Sequence, residues 1–369
     1  MKKQLSSIEI NLLAEELQIL INSRVDKIYH SEGSELCIQF YAQNAGKKIL
    51  KIIPGKYLFL AEAKAEHQEL SGFCMFLRKH LENSKLKEVR QIEPERIVEF
   101  AFEKAGKKLI LIAEFFSKGN IIICDENHII ANALQFVDFS TRSIRPKIKY
   151  EHPKMEYDIF KLKKENLQEL FKKTGKDALV TCLAVDLGLG GIYSEEICLL
   201  AKIDKNKKPQ DIRNADKIAD SIKKITGKKI KPVIYYENSE AVDAVPFEME
   251  FYRNLEKKEF GTFNEALDYY FSKEEKIQKK PAKYDKDIES IKRIIEEQRQ
   301  TIESMKKSEN EDREKAELIY NNYKLVEEIL TEINKASQKY SWKEIQEKLK
   351  EHKIIREVDA KEKRVVVEI

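Results

Sequence analysis

Residues 73–100 read FCMFLRKHLENSKLKEVRQIEPERIVEF, and this stretch decides the fold class of the N-terminal half. Phe73, Phe76, Leu77 and Leu81 recur at i, i+3, i+4 and i+8, the spacing of one buried helical face. Arg78 and Lys79 stand about 140° and 240° around the helical wheel from Phe73, so a packed helix turns two cations outward. A short connection, a strand, a turn and a second strand follow, with Glu95-Arg96 opening the second strand. Arg96 shares strand parity with Val98, Phe100 and Phe102. It must therefore leave the core at the strand's mouth or be buried against a carboxylate, with Glu9 the first candidate partner. His80 lies on the apolar face and reads as a core histidine, and Glu93 and Glu95 read as an ordinary exposed pair before a strand.

Outward from this stretch, Ser6 or Ser7 can cap a first helix with Ile10, Leu13, Leu17 and Leu20 at helical spacing. Strands are expected at 24–30, 35–41, 48–53 and 57–61, and again at 86–91, 96–102, 108–115, 120–124 and 129–136. Strands punctuated by two helices imply an α+β domain over residues 1–155. Residues 156–240 form a helical domain. Between residues 161 and 232 there are 17 Lys/Arg against 10 Asp/Glu, an excess above the whole chain's net charge of +4. Its centre, LGLGGIYSEEI at 187–197, has the spacing of a helix–hairpin–helix. Gly188, Gly190 and Gly191 would let backbone amides approach a phosphate at the next helix's N-terminus, which Glu195 and Glu196 would oppose.

Residues 241–275 read as a connecting segment, with a short helix capped by Thr262 or Asn264. A heptad follows over 276–336. Ile288, Ile291, Ile295, Gln298, Ile302 and Met305 occupy its seam, and Ala316, Ile319, Tyr323, Val326, Leu330 and Ile333 resume it beyond Glu309 and Asp312. The unbroken register predicts one long coiled-coil helix that needs a second helix against it. Residues 337–369 give a small, incomplete α/β tip with a helix at 342–349 and strands at 354–358 and 364–369.

The 369 residues are 42% hydrophobic and 36% charged with mean hydropathy −0.55, and no run is long and apolar enough to span a membrane. The acidic residues at Glu9, Glu15 and Glu16 exclude a signal-peptide core, so a cytoplasmic location is expected. Cys37, Cys74, Cys124, Cys182 and Cys198 form no CxxC and read as buried free thiols. The six histidines match no zinc spacing, so no metal and no cofactor is expected. No P-loop, dinucleotide fingerprint, nucleophile elbow or zincin motif is present, and no catalytic residue is assigned.

Together these pieces resemble the NFACT family of ribosome quality control factors, the NEMF-like or RqcH-like proteins, in an archaeal-type form. SSIEINLLAEELQILINSRVDKIYH (6–30) is similar to the family's opening helix and strand, and 73–100 to its central motif. AEFFSKGNIIICDENHIIANAL (113–134) is similar to its sheet motif, FGTFNEALDYYFSK (260–273) to the lead-in to its coiled coil, and SWKEIQEKLK (341–350) to its tip. The resemblance implies a non-enzymatic factor that binds the large ribosomal subunit carrying stalled peptidyl-tRNA. It would recruit aminoacyl-tRNA for mRNA-independent tailing of the nascent chain. It also implies tRNA-binding roles for Glu9, Arg78, Lys79, Glu95 and Arg96. Glutamate stands at 9 and 95 where the family has aspartate, which keeps the charge and adds a methylene. The return coiled-coil helix and the C-terminal NFACT-R domain are not in the sequence and are expected on a missing C-terminal half. The alternative reading is a DNA-binding or repair protein built on the hairpin. Glycosylase chemistry of the N-terminal-proline type is excluded because Lys2 and Lys3 occupy the start.

Overall fold

Ser6 and Glu9 start the first helix, α1 (Ser7–Glu16), through a reciprocal capping box. Glu9 N–H donates to Ser6 Oγ at 3.2 Å and Ser6 N–H to Glu9 Oε2 at 2.7 Å. The computed structural model describes residues 2–31, 35–42, 46–63, 71–139, 142–153, 155–350 and 352–368, leaving aside the side chains of 31, 273–290 and 292. The seam side chain of Ile288 and the terminal Ile369 thus lie outside the described residues. The chain divides after Lys276 into two units, which are described separately.

In the first unit α1 leads into β1 (Arg24–Ser31), β2 (Glu35–Ala42), β3 (Gly46–Ile53) and β4 (Tyr57–Ala61). Then come α2 (Gly72–Leu81), β5 (Lys85–Gln91), β6 (Ile97–Lys104), β7 (Lys107–Glu114), β8 (Asn120–Asp125) and β9 (Ile130–Ala133). The nine strands form one sheet in the order β4-β3-β2-β1-β5-β6-β7-β8-β9. Among the described residues the β1–β5 ladder has the single registered pair Arg24↔Lys85, supported at its ends by Val25 N–H donating to Ser84 O at 2.9 Å and Leu86 N–H to Ser23 O at 3.0 Å, so the sheet has two halves. Phe40 of β2 and Phe102 of β6 stack at 6.4 Å across the core between those halves. Phe73, Leu77 and Leu81 of α2 enter the same core, as their spacing predicts.

The halves also meet at two turns. Gly55 N–H donates to Glu114 O at 3.0 Å. A Cβ on Gly119 (φ +70°) would lie 1.8 Å from Gly55 N, so backbone packs on backbone and no side chain fits.

After the short ribbon of β10 (Val137–Asp138) and β11 (Ser143–Ile144) come α3 (Lys164–Lys173), α4 (Leu179–Val185), α5 (Gly191–Ala201) and α6 (Ala215–Thr226). Residues 241–275 are more than a connection. They supply β13 (Glu240–Val245) and β14 (Glu256–Glu259), which flank β12 (Val233–Glu237), and the first turns of α7 (Phe263–Asn321). Thr262 Oγ1 accepts Glu265 N–H at 3.1 Å to start α7, and Phe263, Leu267 and Tyr270 pack into the sheet core. Ile10 and Leu13 of α1 face that core, whereas Ile8 and Leu12 face the helical core of α3–α6, β12 and β13. α1 is therefore buried on two sides, which places Glu9 between the cores. Arg96 sits in the turn before β6 and not within the strand.

The second unit contains the rest of α7, then α8 (Tyr323–Ser337), α9 (Trp342–Lys348), β15 (Ile355–Asp359) and β16 (Arg364–Val367). The single seam helix expected from the heptad is interrupted. Asn322 leaves helical geometry (φ −110°, ψ 25°), and its Nδ2 donates to Leu318 O at 3.0 Å. Such a side chain competes with the backbone ladder. The helix runs unbroken past Glu309 and Asp312. Seam residues Ile291, Ile295, Ile302, Met305, Ile319, Tyr323 and Leu330 are exposed. Ile333, Ile345, Ile355 and Val358 make the core of the tip.

All five cysteines are buried, and none forms a disulfide among the described residues. No helix among the described residues is long and apolar enough to cross a membrane.

Gly119→Ala is expected to lose at least about 3 kcal/mol, because it adds a backbone clash to a left-handed conformation. Gly106→Ala, with φ +77° and nothing within 4 Å, loses only about 1–2 kcal/mol. Urea unfolding of the two variants separates clash from conformation, and equal losses would contradict the close approach.

Candidate functional site

A cavity of about 610 Å³ opens where the start of the chain, α1, the turn before β6, the α4–α5 turn and β13 converge. Hydrogen bonds fix this convergence. Ser7 Oγ donates to Pro94 O at 2.5 Å, while Gln91 Nε2 donates to Ser7 Oγ at 2.9 Å and to Glu95 O at 2.8 Å. The start of α1 is thereby tied to the turn that carries Glu95 and Arg96.

Glu9 stands at the floor of the cavity, 1% exposed. Lys2 Nζ donates to Glu9 Oε1 at 2.6 Å and to Asp243 Oδ1 at 2.9 Å, with all three side chains nearly sealed from solvent. Tyr193 OH donates to Glu9 Oε1 at 3.1 Å, and Tyr252 OH to Asp243 Oδ2 at 2.9 Å. Two carboxylates thus share one ammonium. Burial pushes the Glu9 carboxyl above its ordinary range, the Lys2 ammonium opposes this, and Asp243 adds to the upward push. Burial acts against the Lys2 charge, but Asp243 and Glu9 together raise its pKa and keep it protonated.

The expected Glu9–Arg96 pair is not formed. The Glu9 carboxylate is already engaged by Lys2, Ser6 N–H and Tyr193, and Arg96 makes no ion pair among the described residues. Burial lowers the Arg96 pKa and Glu95 acts against that shift. Burial raises Glu95, which receives a backbone hydrogen bond from Met155. Both residues are half-buried and line the cavity.

The α4–α5 turn adds backbone donors, and of the three glycines expected there only Gly191 contributes its amide. Gly188 (φ +66°) and Gly190 (φ +77°) take left-handed conformations, but the amides of Gly188, Leu189 and Gly190 bond back to Val185, Leu183 and Ala184. Gly191, Ile192 and Tyr193 begin α5, so their amides have no partner within the helix, and all three residues line the cavity. Nor do the acidic residues oppose an anion there. Glu195 pairs with Lys205 at 2.8 Å, and Glu196 accepts the amides of Glu250 and Phe251 at 3.0 and 2.8 Å.

Arg78 and Lys79 do not line the cavity. The two outward cations reduce to one, because Arg78 Nε donates back to Ile28 O at 2.7 Å and its guanidinium lies 5.9 Å from the Tyr29 ring centre. Lys79 is exposed. His80 is half-buried and stacks on Phe76 at 4.3 Å. Two of the scattered histidines do converge. His128 and His152 approach Glu99 away from the cavity, and the three form a possible metal-ligand set.

The family described as NFACT N-terminal and middle domains matches residues 6–364. The chain belongs to the NFACT family. An archaeal Rqc2 homolog of Methanocaldococcus jannaschii is 32% identical over 370 residues, covering 96% of this NFACT chain and 55% of its own length. The human ribosome quality control complex subunit NEMF is 25% identical over 383 residues, covering 94% of this chain and 35% of its own. The chain therefore spans only part of the length of the curated relatives it matches. The N-terminal part of a fibronectin/fibrinogen-binding protein from Streptococcus suis shares the fold. It superposes with a TM-score of 0.58 at 20% identity, over 73% of this chain and 100% of that one.

Lys2→Met removes the only cation from the buried triad and is expected to destabilise the chain by about 3–5 kcal/mol at pH 7. The sign of its pH dependence follows from Glu9. Lys2 holds the Glu9 carboxyl down against burial, so without it Glu9 is raised further in the folded variant than in the wild type; the folded variant then binds the extra proton more readily, and the loss shrinks as pH falls toward the ordinary glutamate value of 4.5. Denaturant titrations at several pH values check this, and a pH-independent loss would contradict the shared-ammonium arrangement.

Proposed function

We infer that the cavity is a tRNA-binding site, and that the chain acts in ribosome-associated quality control. It would bind the large ribosomal subunit bearing stalled peptidyl-tRNA and recruit tRNA for mRNA-independent tailing of the nascent chain. The observation that carries this reading is the meeting, in one cavity, of Arg96, Glu95 and Glu9 with the first amides of α5. A guanidinium that makes no ion pair among the described residues, facing the same space as a helix N-terminus, suits a phosphate. Three cations (Lys2, Lys3, Arg96) and three carboxylates (Glu9, Glu95, Asp243) line the space. Such a mixture suits a nucleotide better than a bare anion, because carboxylates accept hydrogen bonds from sugar hydroxyls and base amines.

The names of the relatives support the setting, since they are ribosome quality control proteins, and they do not favour the duplex-DNA alternative. No nucleophile or metal is needed for this role. The chain serves as a binding factor and the peptidyl transfer remains with the ribosome, in the cytoplasm. Lys79 adds an exposed cation outside the cavity, whereas Arg78 is committed to β1. The exposed seam of α7 and α8 takes a second helix, completing a coiled coil against the ribosome.

Arg96→Ala is expected to weaken tRNA binding about tenfold and to lower the salt slope of log K by about 1, leaving co-sedimentation with large subunits unchanged. Filter binding at several salt concentrations, with sedimentation alongside, tests this. Unchanged tRNA affinity, or an equal loss of both interactions, would overturn the assignment.

A further inference from the structure

We propose that Glu99, His128 and His152 form a structural site for a divalent transition-metal ion of zinc type. The three come from separated segments held independently of one another. Glu99 lies mid-strand in β6, paired with Arg90 of β5 and Ile112 of β7. His128 takes the left-handed position (φ 62°) in the β8–β9 turn, where Asp125 Oδ1 accepts Asn127 N–H and Ile129 N–H, each at 2.9 Å. His152 is brought back by the bridge Ile129↔Lys149 and by Tyr150 N–H donating to His128 O at 2.7 Å.

The donor atoms are already near ligand spacing. His128 Nε2 is 3.0 Å and His152 Nε2 3.3 Å from the same oxygen, Glu99 Oε1. Metal–ligand bonds of about 2.0–2.2 Å in a tetrahedron set donors about 3.3–3.5 Å apart. All the candidate ligand atoms lie within 4.8 Å of one another, so closing the site needs only a small swing of the partly exposed His152 ring. Glu99 is 2% exposed, and its other oxygen, Oε2, accepts Arg90 Nε at 2.9 Å and Nη2 at 2.7 Å. That fork orients the carboxylate as outer-sphere partners of metal ligands do, and leaves Oε1 for the ion. Two imidazoles and one carboxylate suit zinc or cobalt better than magnesium or calcium, which prefer all-oxygen sites. A fourth position stays open to water.

The ion would fasten residues 149–153 to the sheet. His152 lies three residues before Met155, which walls the tRNA cavity and bonds Glu95 through its backbone. The site itself does not depend on the tRNA reading.

The test is a cobalt(II) titration of the whole chain, stripped with chelator and held at pH 7.5 under reductant, followed by visible absorption and thermal melting. One equivalent giving the intense d–d bands of tetrahedral cobalt, and a higher melting temperature with zinc, is the expected result. His152→Ala and His128→Gln should each weaken binding at least tenfold and remove the zinc-dependent rise. His352→Ala, in the second unit, should change neither. Circular dichroism confirms that each variant is folded. Should a variant not fold, the wild-type stoichiometry and spectrum decide. Absence of stoichiometric binding by the wild-type chain, thiolate-to-cobalt charge-transfer bands, or equal binding by folded histidine variants would overturn the proposal.

Discussion

The buried Lys2 ammonium between Glu9 and Asp243 is the interaction on which the site's geometry depends. It joins the start of the chain, α1 and β13, three segments far apart in sequence. Two buried carboxylates without a cation would repel and be desolvated at once, so the arrangement holds only while Lys2 stays charged in place. Lys2 N–H also donates to Tyr270 OH at 2.9 Å, extending the tie to the first turns of α7. The side-chain length at position 9 matters here, because one carboxylate closes the α1 capping box with Oε2 and meets Lys2 with Oε1.

The same constraint explains why Arg96 is available. With Glu9 committed elsewhere, the guanidinium faces the cavity without an ion-pair partner among the described residues, beside a Glu95 whose charge burial disfavours. The α4–α5 turn is built to a similar end. Its left-handed glycines fold the chain sharply enough that their own amides close on α4, and the first amides of α5 are left for the cavity. Function would then rest on groups that the fold leaves unsatisfied, each held in place by neighbours that are fully satisfied.

Much of the architecture was legible in the sequence because its periodicities are strong. The helix at 73–81 and the strands on either side follow directly from apolar spacing, as does the small tip with Ile345 and Ile355 at its core. Glu9, Glu95, Arg96 and the hairpin glycines were also legible and do share one cavity. The partnerships were not. Lys2 stands beside Lys3, and nothing local marks it as buried. Asp243 is a lone charge in the apolar strand AVDAV, a signal of a buried ion that needs a distant partner to be understood. Arg78 looked outward on a helical wheel, which cannot show a long side chain curling back to a strand carbonyl. His128 and His152 are brought together only by a left-handed turn and a bridge that no residue spacing encodes. The break at Asn322 was hidden because the heptad continues in register through it.

The most direct measurement is a structure of this chain on large ribosomal subunits with peptidyl-tRNA and added aminoacyl-tRNA. The expected result is tRNA density inside the cavity, with a phosphate between Arg96 and the amides of Gly191–Tyr193 and a sugar or base within hydrogen-bond reach of Glu95. A tRNA bound elsewhere, with the cavity vacant or filled by another part of the assembly, would contradict it.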